Sequence, residues 1–360
     1  MFKKLFSRTP KKTHRVVLRS LGRTIEVPEG KTLLDTALDA GIAYPHSCCA
    51  AECATCLSLL VAGRIREEVD TSHLIGPAQK QAGYFLACQA HPLDDEVVVD
   101  TPGFGFRLPA HTLLSTPANI VAITPMNHDI VRLELELERA ISFTAGQYAE
   151  LQAPGLEPRN YSFARAFRPG EKTQRVFFHI RHVPGGAFTS WLRDNAAPGA
   201  TLRFTGPRGL FALRPGAGPI VCVAGGSGLA PILAILEEAA AEGIRRPVHL
   251  YFGARAQRDL YARAEVAALR ELWGDLLTVN EVLSEEPADS GWTGARGFVS
   301  AALAELPARL GSTFQHQDAY LCGPPPMVDA AMAELIRMGV PLERIYFDKF
   351  LDRSHRPGIG

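Results

Sequence analysis

The sequence predicts a multidomain chain of three folds in series: a small domain of strands, one helix and a cysteine-bearing loop, then an antiparallel β-barrel, then an open α/β sheet with parallel strands. Three observations carry that expectation. Two short β-like runs and a helical pattern occupy the opening. Alternating strands with glycine and proline turns fill the middle, and apolar runs separated by helical stretches make up the last third. A length of 360 residues suits two or three such units.

In the opening unit, His14 to Ser20 and Arg23 to Val27 are β-like runs separated by Leu21-Gly22, which predicts a hairpin. Thr32 then begins a helix whose apolar face is Leu33, Leu34, Ala37 and Leu38. Asp35 is placed to complete the cap, and Gly41 stops the helix. Next comes Cys48-Cys49-Ala50-Ala51-Glu52-Cys53-Ala54-Thr55-Cys56, and Cys88 follows after 31 further residues. Read as Cys48, Cys53, Cys56 and Cys88, this is Cys-x4-Cys-x2-Cys with a distant fourth cysteine, the spacing of a plant-type [2Fe–2S] site. Two irons and two sulfides need four thiolates, and a short loop wrapped round them can aim backbone N–H groups at sulfur. Zinc is the competing ligand set, although its sites favour two short cysteine pairs, and a buried structural cluster is the plainer alternative. Cys49 sits beside a ligand without being one. Ala51 and Ala54 stand where such loops often carry glycine, which narrows the backbone angles available. Hairpin, helix and cysteine loop together look like a β-grasp ferredoxin over 14–101.

Lys plus Arg equals Asp plus Glu at 38 each, so the formal charge is zero and nucleic acid is not an expected partner. Cys49, Cys222 and Cys322 suggest no disulfide, which fits a reducing cytoplasm, and Cys222 is expected in a core. No secretory core follows Met1-Phe2-Lys3-Lys4, and no apolar run reaches a membrane-spanning length, so a soluble protein without membrane insertion is expected. The basic stretch 1–13 reads as a solvated tail, as does 351–360 at the other end.

Thr101-Pro102-Gly103-Phe104-Gly105 is rich in breakers and marks a linker over 102–114. In the barrel, 115–213, Val131, Leu133, Leu135 and Leu137 alternate with Arg132, Glu134, Glu136 and Glu138. Further strands are expected at Tyr148 to Gln152, Tyr161 to Arg165, Arg175 to His182 and Thr201 to Thr205. In the last domain, 214–350, the apolar run to Ala224 precedes a Gly225-Gly226-Ser227-Gly228 loop. A helix from Pro231 to Ala241 follows, with Ile232, Leu233, Ile235, Leu236 and Ala239 inward, and further apolar runs begin at Val248, Leu276 and Ala319.

Several segments carry chemistry only in combination. Arg159-Asn160-Tyr161-Ser162 alone reads as a packed strand. Val183-Pro184-Gly185-Gly186 with Thr189 and Ser190 puts two glycines and two hydroxyls before a helix, a turn able to offer N–H groups to a pyrophosphate. Gly225-Gly226-Ser227-Gly228-Leu229-Ala230-Pro231 follows a strand and opens a helix, the context of a nucleotide-phosphate loop. Glycine there removes a β-carbon from the diphosphate's path. Arg255 and Arg258 could pair with a 2′-phosphate, whereas Asp259 could discourage one.

The order of cysteine loop, Arg-x-Tyr-Ser, Gly-Gly hydroxyl turn, Gly-Gly-Ser-Gly and Cys322-Gly323-Pro324-Pro325-Pro326-Met327 resembles the ferredoxin-NADP reductase superfamily. More closely, it resembles the three-domain reductase components of bacterial multicomponent oxygenases, such as the benzoate dioxygenase, phenol hydroxylase and methane monooxygenase reductases. The resemblance implies that Arg159 neutralises an FAD pyrophosphate, Tyr161 stacks on the isoalloxazine, Ser162 lies near flavin N5, and Gly185, Gly186, Thr189 and Ser190 line the diphosphate. It also implies that Gly206-Pro207-Arg208-Gly209 closes the barrel and that Cys322 sits beside the nicotinamide C4, while Asp348 and Phe350 lie near the flavin. Ser162, Cys322 and Asp348 are thus the expected catalytic positions. Gly225, Gly226, Ser227, Gly228, Pro231, Arg255, Arg258 and Gly323 are expected to meet the nicotinamide nucleotide, with NADH favoured and NADPH possible. The implied activity is an NAD(P)H-dependent oxidoreductase passing electrons through FAD and a [2Fe–2S] cluster to a diiron or Rieske oxygenase component. A different acceptor, such as a deoxysugar dehydratase, or a carrier module without nucleotide turnover, remains open at this point.

Overall fold

The computed structural model describes residues 12–42, 44–46, 49, 51, 56–72, 74–101, 111–168, 170–306, 314–341 and 344–350. It divides into two units, Met1–Phe106 and Arg107–Gly360.

In the first unit the strands are β1 (Thr13–Leu18), β2 (Arg23–Pro28), β3 (Leu57–Ala62), β4 (Ile65–Glu67), β5 (Tyr84–Leu86), β6 (Ala90–Pro92) and β7 (Glu96–Asp100). A five-stranded sheet runs in the order β2-β1-β7-β3-β5, while β4 and β6 form a separate pair. β1 and β2 make the expected antiparallel hairpin, but Arg19–Leu21 form a 3-10 turn that ends on Gly22 at φ 60° rather than extending the first strand. Helix α1 (Leu33–Asp39) starts at Thr32, whose hydroxyl oxygen accepts the Asp35 backbone N–H at 3.1 Å. Leu33, Leu34 and Ala37 go inward onto Val16, Val27, Val97 and Val99. A short helix α2 (Pro77–Gln81) precedes β5.

The second unit begins with β8 (Leu114–Pro125), β9 (Ile130–Ile141), β10 (Tyr148–Gln152), β11 (Arg159–Ser162), β12 (Thr173–Arg181) and β13 (Thr201–Arg208). Their order is β11-β10-β13-β8-β9-β12, every pairing is antiparallel, and the two edges meet at a bridge between Phe163 and Phe178. Leu133, Leu135 and Leu137 point into the core as the alternation requires. Two boundaries differ from expectation. β11 starts at Arg159 and stops at Ser162, because Phe163 leaves the ladder to meet Phe178. β13 runs on through Gly206-Pro207-Arg208, so the barrel-closing turn is Gly209, at φ 90°. The barrel also carries α3 (Ala187–Asp194).

The remaining strands are β14 (Ile220–Gly225), β15 (Val248–Ala254), β16 (Leu277–Leu283), β17 (Ala295–Arg296), β18 (Asp318–Gly323) and β19 (Ile345–Lys349). They form a wholly parallel sheet in the order β17-β16-β15-β14-β18-β19. Alternate residues of β14 face opposite layers. Cys222 and Ala224 meet α4 (Leu229–Ala241) and α5 (Arg263–Trp273), whereas Val221 and Val223 meet α6 (Val299–Leu303) and the helix Pro325–Arg337. α4 starts two residues before the expected Pro231 and is buried around almost its whole circumference. The cause is a second neighbour: the barrel covers the side away from the sheet. Ile235 packs where a β-carbon on Gly146 would sit, and the Glu238 and Glu237 carboxylates accept the Ala145 and Ala166 N–H groups at 3.0 and 2.9 Å.

Candidate functional site

In the first unit, Cys48 and Cys53 lie outside the described residues. Cys56 and Cys88, far apart in sequence, are brought together because the Ala87 N–H donates to the Cys56 carbonyl at 3.1 Å, and both side chains are buried. The Cys56 carbonyl also accepts the Ser58 hydroxyl at 3.0 Å, and Ser58 is hydrogen-bonded to the buried Tyr44 hydroxyl at 2.6 Å. Burial pushes the Tyr44 phenol well above its ordinary value, so it stays a neutral hydrogen-bonding group. Cys49 is exposed. Its φ of 54° and the φ of 57° at Ala51 put both residues in the left-handed region, so the loop takes the glycine-like conformation at Ala51 without a glycine. That strain costs about 1–2 kcal/mol per residue.

In the second unit, β11 carries Arg159 and Tyr161 on one face and Asn160 and Ser162 on the other. Ser162 is buried opposite Tyr148, and Tyr161 packs its ring 5.2 Å from Phe188 of α3. The Arg-x-Tyr-Ser strand and the glycine turn are therefore neighbours, as the motif order predicts. Within that turn the details differ from the sequence reading. Gly186 is the N-cap of α3, and Thr189 and Ser190 lie inside the helix rather than before it. The Thr189 hydroxyl accepts the Val183 N–H at 3.2 Å and donates to the Val183 carbonyl, so it closes the turn on itself. Gly185, at φ 75°, has open space on its β-carbon side.

The nucleotide-type loop lies at the carboxyl end of β14. Gly226–Gly228 form one 3-10 turn that runs directly into α4, including Pro231, with the positive end of the helix at the turn. Its glycines serve different purposes. A β-carbon on Gly228 would collide with the Cys322 carbonyl, and one on Gly225 with the Met327 sulfur and Pro324, so these two are needed for packing against the β18 turn. Only Gly226, at φ 54°, leaves a cradle. The nearest atom to its missing β-carbon is Nη1 of Arg181, at 3.7 Å. Cys322 is fully buried, and burial with nearby Asp348 pushes its thiol far above the usual range, so it is a neutral group. β18–β19 pairing sets Cys322 beside Asp348 and Gly323 beside Lys349, and the Phe350 N–H donates to the Gly323 carbonyl at 2.9 Å.

Arg255 is held by acids. Its Nη2 lies 2.9 Å from Asp259 Oδ1 and 3.9 Å from Asp129 Oδ2, and Asp259 Oδ2 also accepts the Ala256 N–H at 2.9 Å. Asp129 is gripped in turn by Arg181 Nε at 2.8 Å. Glu286 accepts from the Gln257 backbone and side chain at 2.8 and 2.6 Å. Arg258 is exposed and has no ion-pair partner among the described residues; its carbonyl is hydrogen-bonded to His128. Sequence reasoning missed Asp129 and Arg181, and it placed Tyr261 only at the end of the stretch from Phe252 expected to meet the adenosine ribose. The Tyr261 hydroxyl donates to the Gly226 carbonyl at 3.2 Å, and its ring meets His179 edge-on at 5.5 Å. Nothing local could have flagged Asp129 or Arg181, because their partners come from another part of the chain.

Fold and site thus define a nicotinamide- and flavin-type oxidoreductase joined to an iron–sulfur unit. Three families match in series: the 2Fe-2S iron-sulfur cluster binding domain over 16–93, the oxidoreductase FAD-binding domain over 117–213 and the oxidoreductase NAD-binding domain over 222–333. The chain is 40% identical to the xylene/toluene monooxygenase electron transfer component XylA of Pseudomonas putida, over 97% of this chain and 96% of that protein. It is 33% identical to the propane 2-monooxygenase reductase component of Gordonia sp. (strain TY-5), over 94% and 97%. Among solved structures, the Amycolatopsis cytochrome P450 reductase GcoB matches with a TM-score of 0.77 at 32% identity, covering 94% of this chain and 99% of that one. The chain belongs to the ferredoxin-NADP reductase superfamily and, within it, to the three-domain reductases that include oxygenase reductase components. It is an NAD(P)H-dependent oxidoreductase with domains for a 2Fe-2S cluster, FAD and the nicotinamide nucleotide.

Proposed function

We propose that this chain carries electrons from NADH to a separate oxygenase component, with its domains spanning 14–101, 115–213 and 214–350. The carrying observation is the presence of all three domains in one chain, alignable end to end with monooxygenase electron-transfer components. The chemistry supplied by the bound groups is hydride acceptance at FAD followed by one-electron transfer through the iron–sulfur cluster.

The chain's own residues bind, orient and exclude water. Cys48, Cys53, Cys56 and Cys88 are proposed to supply the thiolates; the buried Cys56–Cys88 pair on one backbone hydrogen bond fits a compact, dry cluster. Arg159, Tyr161, Ser162 and the turn Gly185–Gly186 with Thr189 and Ser190 are proposed to hold FAD, and the exposed cradle at Gly185 leaves room for a diphosphate. Gly226 with Ser227 and the α4 N-terminus would seat the nucleotide diphosphate, while Gly225 and Gly228 hold that turn against Cys322-Gly323. Cys322, neutral and buried, would offer the nicotinamide a small uncharged wall, with Asp348 and Phe350 behind it.

NADH is favoured over NADPH because Arg255, one of the two arginines able to meet a 2′-phosphate, is neutralised by Asp259 and Asp129, and Glu286 adds a further negative charge beside Gln257. The partner is a Rieske or diiron oxygenase, the site of action the cytoplasm. No helix among the described residues is long and apolar enough to cross a membrane. Anaerobic addition of NADH to the purified protein tests the reading. Flavin bleaching followed by loss of the oxidised cluster's visible absorbance is expected, and bleaching without any cluster reduction overturns it.

A further inference from the structure

Immediately after Cys88 stands Gln89, buried at 7% exposure in the 3-10 turn Ala87–Gln89 that packs against α1. Its side-chain Nε2 donates to Cys88 Sγ at 3.6 Å. We infer that Gln89 is a positioning and tuning residue for the iron–sulfur centre, raising its reduction potential through this N–H···S hydrogen bond. The inference rests on Cys88 being a cluster ligand.

The physical argument concerns which oxidation state the bond favours. A thiolate on the reduced cluster carries more negative charge than on the oxidised one, so a donor aimed at its sulfur is worth more after reduction. The surroundings strengthen the effect. Leu86, Ala87 and Ala90 flank the turn and are buried, Leu34 and Ala37 belong to the same core, and a hydrogen bond in such a dry setting is screened little. The backbone of Gln89 is fixed independently, because its carbonyl accepts the Glu68 N–H at 3.0 Å. The side chain is therefore not needed to hold the turn, and its removal acts mainly on sulfur.

The consequence is directional. With the donor present, electrons shared between flavin and cluster lie further toward the cluster; without it, the balance shifts back. Gln89→Leu keeps approximate volume and removes the donor, and Gln89→Glu replaces it with a carboxylate that repels added charge. In the full-length cofactor-loaded protein, a redox titration followed by the electron paramagnetic resonance of the reduced cluster should show the potential falling in Gln89→Leu and falling further in Gln89→Glu. The expected change in the reduction equilibrium is about three- to tenfold for Leu, the upper end being about 59 mV for a one-electron couple.

A Gln89→Leu protein with wild-type cluster content and an unmoved potential overturns the inference. If that variant fails to retain its cluster, the wild-type protein labelled with 15N at glutamine side chains decides instead. A 15N coupling to the reduced cluster in pulsed resonance supports the bond, and its absence refutes it. Wild-type protein that holds no iron and sulfide at all refutes the underlying ligand assignment and the tuning role with it, whereas an unmoved potential in a cluster-loaded Gln89→Leu protein refutes the tuning role alone.

Discussion

The two ends of the parallel sheet in the second unit treat charge in opposite ways. At the amino end, where β14 and β18 begin, Asp318 is 1% exposed and is clasped by Arg246 and by Arg344 Nη2 at 2.9 Å. The guanidiniums are satisfied on their other sides too: Arg246 donates to the Gly218 carbonyl, and Arg344 to the Gln317 and His316 carbonyls. At the carboxyl end, the helix N-terminus behind Gly226 faces an open cradle, and the charged residues alongside, Arg181, Arg255, Asp129 and Asp259, are partly exposed and shared among several partners. One end is closed and structural; the other keeps its electrostatics available for a ligand. The difference teaches that a buried ion pair and a binding site are told apart by saturation, not by the number of charges.

The largest expected effect comes from opening the closed end. Asp318→Ala leaves the buried Arg246 guanidinium and the partly exposed Arg344 without their acid and should destabilise the second unit by about 3–5 kcal/mol, read as a fall in the denaturant midpoint. A change below about 1 kcal/mol would break the comparison, because the amino end would then be no more saturated than the carboxyl end. At the carboxyl end, Asp259→Asn should leave stability nearly unchanged yet free Arg255. The ratio of kcat/KM for NADH over NADPH is expected to fall about tenfold, near 1.4 kcal/mol of discrimination. An unchanged ratio would mean that Arg255 does not face the ribose.

The smallest effect is one of pH. Glu238 is pushed up to about 7, chiefly by burial beneath the barrel, with the Ala145 N–H pulling it down and Glu242 raising it. A carboxyl whose folded value is raised contributes stability that is fully present below its unfolded value of 4.5 and is lost as pH rises through about 7. Thermal stability of the protein should therefore decline across that window, and Glu238→Gln, which keeps an acceptor for Ala145, should flatten the decline. Equal slopes in the two proteins would show that the carboxyl is not the titrating group.

Much of this molecule was legible from residue order. Period-two alternation located β9, the Thr32–Gly41 signals located α1, and an apolar run followed by Gly225-Gly226-Ser227-Gly228 located the β14–α4 turn. Local rules suffice there because the forces involved, capping and pleat geometry, act over a few residues. Other features lay beyond local rules for a shared reason. The inward face expected of α4 became burial all round because a second layer covers it. The glycines of the loop also serve, at Gly225 and Gly228, as room for Met327 and the Cys322 carbonyl.

The sequence by itself determined the cysteine spacing, the domain order and the family, since motifs survive as words in a line. Only the tertiary structure decided that Asp129 and Arg181 brace Arg255, that Tyr261 ties Gly226, and that Gln89 aims an amide at Cys88. The physical reason is range: a hydrogen bond or ion pair acts over a few ångströms in space, and the chain brings such partners together only after it has folded.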